Sequence, residues 1–197
     1  MRLGLPRTEL DVWRTKDGHL AVIHDDKVDH LTDGHGRVEE MTLVEIKALN
    51  CPQGQKIPTL QEVIDLCKEK IDLQIELKGK GTPRPVNDLI VKNGIEKKVL
   101  ITSFDINLLQ EMRKINPLIK MGLLFGNIPV LLWGMISRNR LNYICPQADI
   151  VTEDMIVYAH AMGVKVYAYH TNDQTVGRRL MWWHIDDIGT DYPELFL

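Results

Sequence analysis

Short apolar runs alternate with capped amphipathic segments along most of this chain, and that order leaves few folds open. Residues 73–77, 99–104, 121–125, 148–151, 164–169 and 185–190 read as strands. Between them lie helical periods. After Pro58, Thr59 and Glu62 have the spacing of a capping box, and Leu60, Val63, Ile64 and Cys67 then repeat at i, i+3, i+4, i+7. Thr42 and Glu45 open a shorter helix in the same way. Asp105 opens one that carries Leu108, Leu109, Met112 and Ile115 and stops at Asn116-Pro117. Another spans 153–162 and ends at Gly163, and the last opens at Asn172 or Asp173 and carries Val176, Leu180 and Trp183. Strand-then-helix repetition builds a parallel sheet with helices outside it.

The beginning breaks the rhythm. In TELDVWRTKDGHLAVIHD two strand-like runs, 8–13 and 19–24, flank Asp17-Gly18, a strong hairpin signal. Counting the first run as a barrel strand and the second as its antiparallel return gives seven parallel strands plus a hairpin, where a closed barrel of this type has eight. The fold class is therefore α/β, of the (β/α)8 barrel type but one parallel strand short of eight. With 197 residues, 44% of them hydrophobic, and no linker or low-complexity segment, residues 1–197 are expected to form a single domain.

Charge and cysteine usage narrow the partners. A formal net charge of −3 with signs interspersed gives no basic stripe for nucleic acid or anionic membranes. Cys51, Cys67 and Cys145 are odd in number and far apart, which fits neither a disulfide framework nor a zinc cluster. The longest apolar stretch, 128–136, contains Pro129 and Gly134 and is about half of the ~20 residues a membrane span needs. MRLGLPRTELDV lacks the apolar core of a signal peptide. A cytoplasmic protein acting on a small molecule is the expectation.

Glu9 and Asp11 are two apart on a strand and leave the same face, opposite Leu10 and Val12. With a two-residue turn at Asp17-Gly18, Lys16 pairs with His19 and His24 falls opposite Asp11. A three-residue bulged turn would shift the register and separate them. In DLQIELK, Leu73, Ile75 and Leu77 share one face, and Gln74, Glu76 and Lys78 the other, which in a barrel is the lumen. Glu9, Asp11 and Glu76 would then meet in one small space, where three ionised carboxylates repel one another. A divalent cation relieves this, and an all-oxygen shell selects Mg²⁺ or Ca²⁺. Read singly, these residues are ordinary: E-x-D is common on solvated hairpins, and a strand-end His24 or Lys78 is usually solvated. Asp33 to Gly36 (DGHG) reads as a turn rather than a phosphate loop, and Trp182 and Trp183 as packing residues.

The block ELDVWRTKDGHLAVIHDDKVDHLTDGHGRV, followed in order by IPTLQEVIDL, LQIELKG, VLITSFD and GTDYPEL, resembles the glycerophosphodiester phosphodiesterases, a family of phospholipase-C-like TIM-barrel phosphodiesterases. The resemblance implies metal ligands at Glu9, Asp11 and Glu76, a catalytic histidine at His24, and a phosphate-contacting lysine at Lys78. It also implies a cofactor of one divalent cation, Mg²⁺ or Ca²⁺. The implied reaction is hydrolysis of glycerophosphodiesters to sn-glycerol 3-phosphate and an alcohol, in lipid and glycerol metabolism. Family members begin with a strand bearing HRG and a helix bearing ENT, strings that do not occur here, and Met1 falls where their second strand begins, so the resemblance implies that the barrel lacks its first β/α unit. The second reading is thus a pseudoenzyme or truncated fragment that binds metal or phosphodiester without turnover. An open barrel edge would favour self-association. His170 is the one candidate for a second histidine.

Overall fold

A computed structural model describes residues 4–196; the expectation placed at Met1 lies outside them. Among the described residues, eight strands form one sheet: β1 (Arg7–Arg14), β2 (Leu20–Val22), β3 (Asp72–Leu77), β4 (Val99–Ser103), β5 (Lys120–Phe125), β6 (Tyr143–Pro146), β7 (Lys165–Ala168) and β8 (Asp187–Ile188). Their order is β2-β1-β3-β4-β5-β6-β7-β8. Only the β1/β2 pair is antiparallel, so seven strands run parallel in an α/β sheet curled as in a TIM barrel. Near the ends of the curl, Arg7 on β1 donates to Asp187 on β8, with Nη2 and Oδ2 2.7 Å apart.

The helices are α1 (Leu43–Ala48), α2 (Leu60–Cys67), α3 (Pro83–Asn93), α4 (Ile106–Ile115), α5 (Leu132–Asn139), α6 (Glu153–Ala161) and α7 (Gln174–Trp182). Reciprocal capping boxes start α1 at Thr42 with Glu45 and α2 at Thr59 with Glu62, each cap worth ~1 kcal/mol. Asp105 caps α4 and Asp173 caps α7. After α6, Gly163 takes φ 71°, the left-handed turn foreseen for it. None of the described helices is long and apolar enough to cross a membrane.

Alternation in the strands sorts side chains between two environments. Leu10, Val12, Leu73, Ile75 and Leu77 pack outward against Leu60, Ile64, Val86 and Ile90 of the helices. Burial of each such side chain contributes ~1.5–3 kcal/mol. Inside, Leu100, Leu124, Tyr143, Cys145 and Tyr167 form a separate cluster. Where β5 crosses it, a Cβ on Gly122 would come within 2.6 Å of the Cys145 sulfur, so the close approach requires glycine. A third cluster, with Ala21, Ile23, Val28, Val38, Ile46 and Ile57, lies under the hairpin and α1 and anchors the excursion that follows β1.

Two expectations fail in this region. Residues 148–151 are not a strand: Ala148–Ile150 is a 3-10 turn, and the strand precedes it at Tyr143–Pro146. Pro146 disguises that strand, yet it sits at the last position, where its missing N–H costs nothing and its carbonyl still accepts from Tyr169 N at 3.0 Å. Trp182 is 81% exposed and packs no core, whereas Trp183 packs against it with Arg179 5.2 Å over its ring.

Candidate active site

The parallel pairing of β1 and β3 places Asp11 beside Glu76 and Glu9 beside Gln74. All four side chains enter the lumen, as their strand faces require. The ladder continues with Lys78 N donating to Val12 O at 3.2 Å, which holds Lys78 level with the carboxylates. Glu9, Asp11 and Glu76 each offer an oxygen, and these atoms lie within 4.8 Å of one another. Lys78 Nζ sits 2.9 Å from Glu76 Oε1 and 3.3 Å from Asp11 Oδ1. One ammonium thus faces three carboxyl groups.

Protonation carries the imbalance. Burial, reinforced by the charges of Asp11 and Glu76, pushes the Glu9 carboxyl up to about 8 despite the opposing charge of Lys78. Glu9 is reached by water from the open side of the cavity, but the carboxylate beneath that opening is crowded by protein. Glu76 is pushed up to about 6, chiefly by burial, with the Lys78 hydrogen bond and charge pulling the other way. Burial would lower Lys78, but its bonds to Glu76 and the charges of Glu76 and Asp11 hold its proton and raise it. Such a set fits a hard divalent cation, which takes carboxylate oxygens and displaces protons from them.

The cavity around these groups has a volume of about 820 Å³ and is lined also by His24, Phe104, Tyr169 and His170. Phe104 and Tyr169 meet edge to face at 5.4 Å. His170 is exposed, its Nε2 3.7 Å from Asp191 Oδ2.

His24 is not opposite Asp11. Thr15 N donates to His19 O at 2.8 Å and Gly18, at φ 90°, donates to Thr15 O at 3.0 Å, so the turn has three residues rather than two. Thr15, not Lys16, closes the hairpin, and the register Val12↔Val22 follows. Ile23, not His24, then bonds to Asp11, with N to O at 3.1 Å. Ile23 is drawn into the hairpin's own core, the chain turns, and His24 reaches the cavity rim with its side chain 75% exposed. Trp13 Nε1 pins the His24 carbonyl at 3.1 Å. Sequence reasoning passed over Asp25 and His30: Asp25 Oδ1 is 2.7 Å from His24 Nδ1, and its Oδ2 is 2.8 Å from His30 Nδ1. The adjacency of His24 and Asp25 was the available signal.

Barrels of this kind carry their chemistry at the carboxyl ends of the strands, and comparison with known proteins defines its class as phosphoric diester hydrolysis. Residues 2–195 match the Glycerophosphoryl diester phosphodiesterase family, and the chain belongs to that family. It is 34% identical to a glycerophosphodiester phosphodiesterase of Caldanaerobacter subterraneus subsp. tengcongensis, covering 100% of this chain and 86% of that protein. A Bacillus subtilis enzyme of the same name is 27% identical over 95% of this chain and 74% of its own length. Among solved structures, the glycerophosphodiester phosphodiesterase of Agrobacterium tumefaciens superposes with a TM-score of 0.86 at 25% identity, covering 99% of this chain and 88% of that one. An Oleispira antarctica phosphodiesterase, in complex with the product sn-glycerol-3-phosphate, shares the fold with a TM-score of 0.88 at 24% identity, covering 98% of this chain and 84% of that one.

Proposed function

We propose that this chain hydrolyses glycerophosphodiesters such as glycerophosphocholine or glycerophosphoethanolamine to sn-glycerol 3-phosphate and the alcohol, using one Mg²⁺ or Ca²⁺. The convergence of Glu9, Asp11 and Glu76 on one point beside Lys78 is the observation that carries this reading. The product bound by the Oleispira protein supports the choice of substrate. Glu9, Asp11 and Glu76 would hold the cation, which when bound supplies Lewis acidity toward a phosphoryl oxygen. Lys78 would offset phosphate charge. His24 would deliver a proton to the departing alcohol as the phosphorus–oxygen bond to it breaks and one to water oxygen forms. Cytoplasmic work in glycerolipid turnover fits three buried, unbridged cysteines. Phosphorus NMR of glycerophosphocholine incubated with the chain and Mg²⁺ tests this: sn-glycerol 3-phosphate is expected, and phosphocholine or a product-free complex would contradict it. The last outcome would establish the second reading, binding without turnover.

The raised carboxyl groups set the pH dependence. In the folded, cation-free chain Glu9 keeps its proton from its ordinary value near 4.5 up to about 8, and Glu76 up to about 6. Their contribution to stability is therefore complete below about 4.5 and is lost as pH rises through those values. Cation binding has the opposite slope because it displaces these protons. Titration calorimetry is expected to show Mg²⁺ or Ca²⁺ affinity rising ~10- to 10²-fold between pH 6 and 8, with proton release in buffers of differing ionisation heat. A pH-independent affinity would contradict the ligand set.

A further inference from the structure

The loop after the hairpin holds four aspartates, and no two of them share a partner. Asp26 pairs with Arg37 at 2.8 Å, Asp29 accepts from Gly36 N at 2.9 Å, and Asp33 accepts from Asn50 N at 2.8 Å. Asp25 alone divides its two oxygens between imidazoles, at 2.7 Å from His24 Nδ1 and 2.8 Å from His30 Nδ1. We propose that Asp25 is a positioning residue that fixes which ring nitrogen of His24 exchanges protons in the cavity, and that His30 clamps Asp25 from the other side. The proposal rests on the role given to His24 above.

The chemistry is restrictive. An ionised carboxylate only accepts hydrogen bonds, so each facing Nδ1 must carry a hydrogen. Hydrogen bonds from His24 and then His30 lower the Asp25 carboxyl, which keeps it ionised. Neutral His24 is thereby held as the Nδ1–H tautomer, and its lone pair lies on Nε2, the nitrogen not engaged by the loop. His24 is mostly exposed, so packing does not choose its rotamer. The Asp25 bond and the Trp13 bond to its carbonyl are what orient it. His30 is 88% exposed and its bond occupies the oxygen that Asp25 would otherwise turn to water. The other charged or titratable groups lining the cavity beside His24 are Glu9, Asp11, Glu76, Lys78, the His170–Asp191 and Arg7–Asp187 pairs, Cys67, Tyr167 and Tyr169.

Nitrogen-15 NMR of the ring nitrogens in the full 197-residue chain reads the tautomer without relying on turnover. In the unsubstituted chain neutral His24 is expected as Nδ1–H. Asp25→Ala is expected to return it to the Nε2–H form that free imidazole side chains prefer, and to lower kcat ~10- to 10²-fold while KM and cation affinity stay level. Asp25→Asn, whose side-chain oxygen still accepts, is expected to keep most of the Nδ1–H form, and His30→Ala to cost less than Asp25→Ala. Finding His24 as Nε2–H in the unsubstituted chain, or unchanged in Asp25→Ala, overturns the proposal even if a variant folds poorly, because the first measurement needs no variant. A tautomer that shifts as expected while His24→Ala keeps full turnover would leave the positioning contact standing and remove His24 from the reaction.

Discussion

Glu76→Gln is expected to lower kcat/KM for glycerophosphocholine by ~10²- to 10⁴-fold, the several kcal/mol that a Lewis-acidic cation supplies to phosphoryl chemistry. Glu76 pairs in register with Asp11, its side chain is 10% exposed, and its Oε1 holds Lys78 at 2.9 Å. Glutamine keeps the size and the strand face but removes the charge, leaving Glu9 and Asp11 as the only carboxylates of the group. Calorimetry is expected to show cation binding weakened at least ~10²-fold, in line with the loss of one ligand. The thermal midpoint is expected to hold or rise when no cation is present, since a like charge has been taken from a crowded site. Unchanged cation affinity with intact folding would place the cation elsewhere.

His24→Ala is expected to lower kcat ~10²- to 10⁴-fold, the usual contribution of a positioned general acid or base, with cation affinity unaltered. Its ring lines the cavity from the rim while the carboxylates come from β1 and β3, so the two losses separate. Replacement of His170, whose nearest charged partner is Asp191 at 3.7 Å, is the comparison that assigns the histidine. Retained turnover in His24→Ala, lost in His170→Ala, would transfer the proton step to the loop after β7.

Much of this site was legible because strands alternate with a fixed period. Glu9 with Asp11, and Gln74 with Glu76 and Lys78, could be assigned to one face from sequence, and β1/β3 pairing then had to bring them together. Capping boxes at Thr42 and Thr59 were equally readable because they are local chemistry. Register was not. Whether Asp17-Gly18 makes a two- or three-residue turn depends on contacts outside the hairpin, here Lys16 N to Met41 O at 2.8 Å and Asp17 to Leu43 N at 3.0 Å. That single residue moved Ile23 into the place reserved for His24. The strand Tyr143–Pro146 escaped because a proline at a strand's end and a proline within it look alike in sequence. Helix α3 carried its signals, Pro83 in its first turn and Gly94 at φ 65° after its end, but they were not assembled into a helix.

The claim that Glu9, Asp11 and Glu76 form a cation-dependent phosphodiesterase centre is tested most directly by one titration. Glycerophosphocholine is incubated with chelator-treated chain, Mg²⁺ or Ca²⁺ is added stepwise, and sn-glycerol 3-phosphate is measured. The account predicts no release without cation, release that saturates with cation, and in Glu76→Gln release lowered ~10²- to 10⁴-fold that needs higher cation concentrations. Equal release in the presence of excess chelator, or in Glu76→Gln, would contradict it.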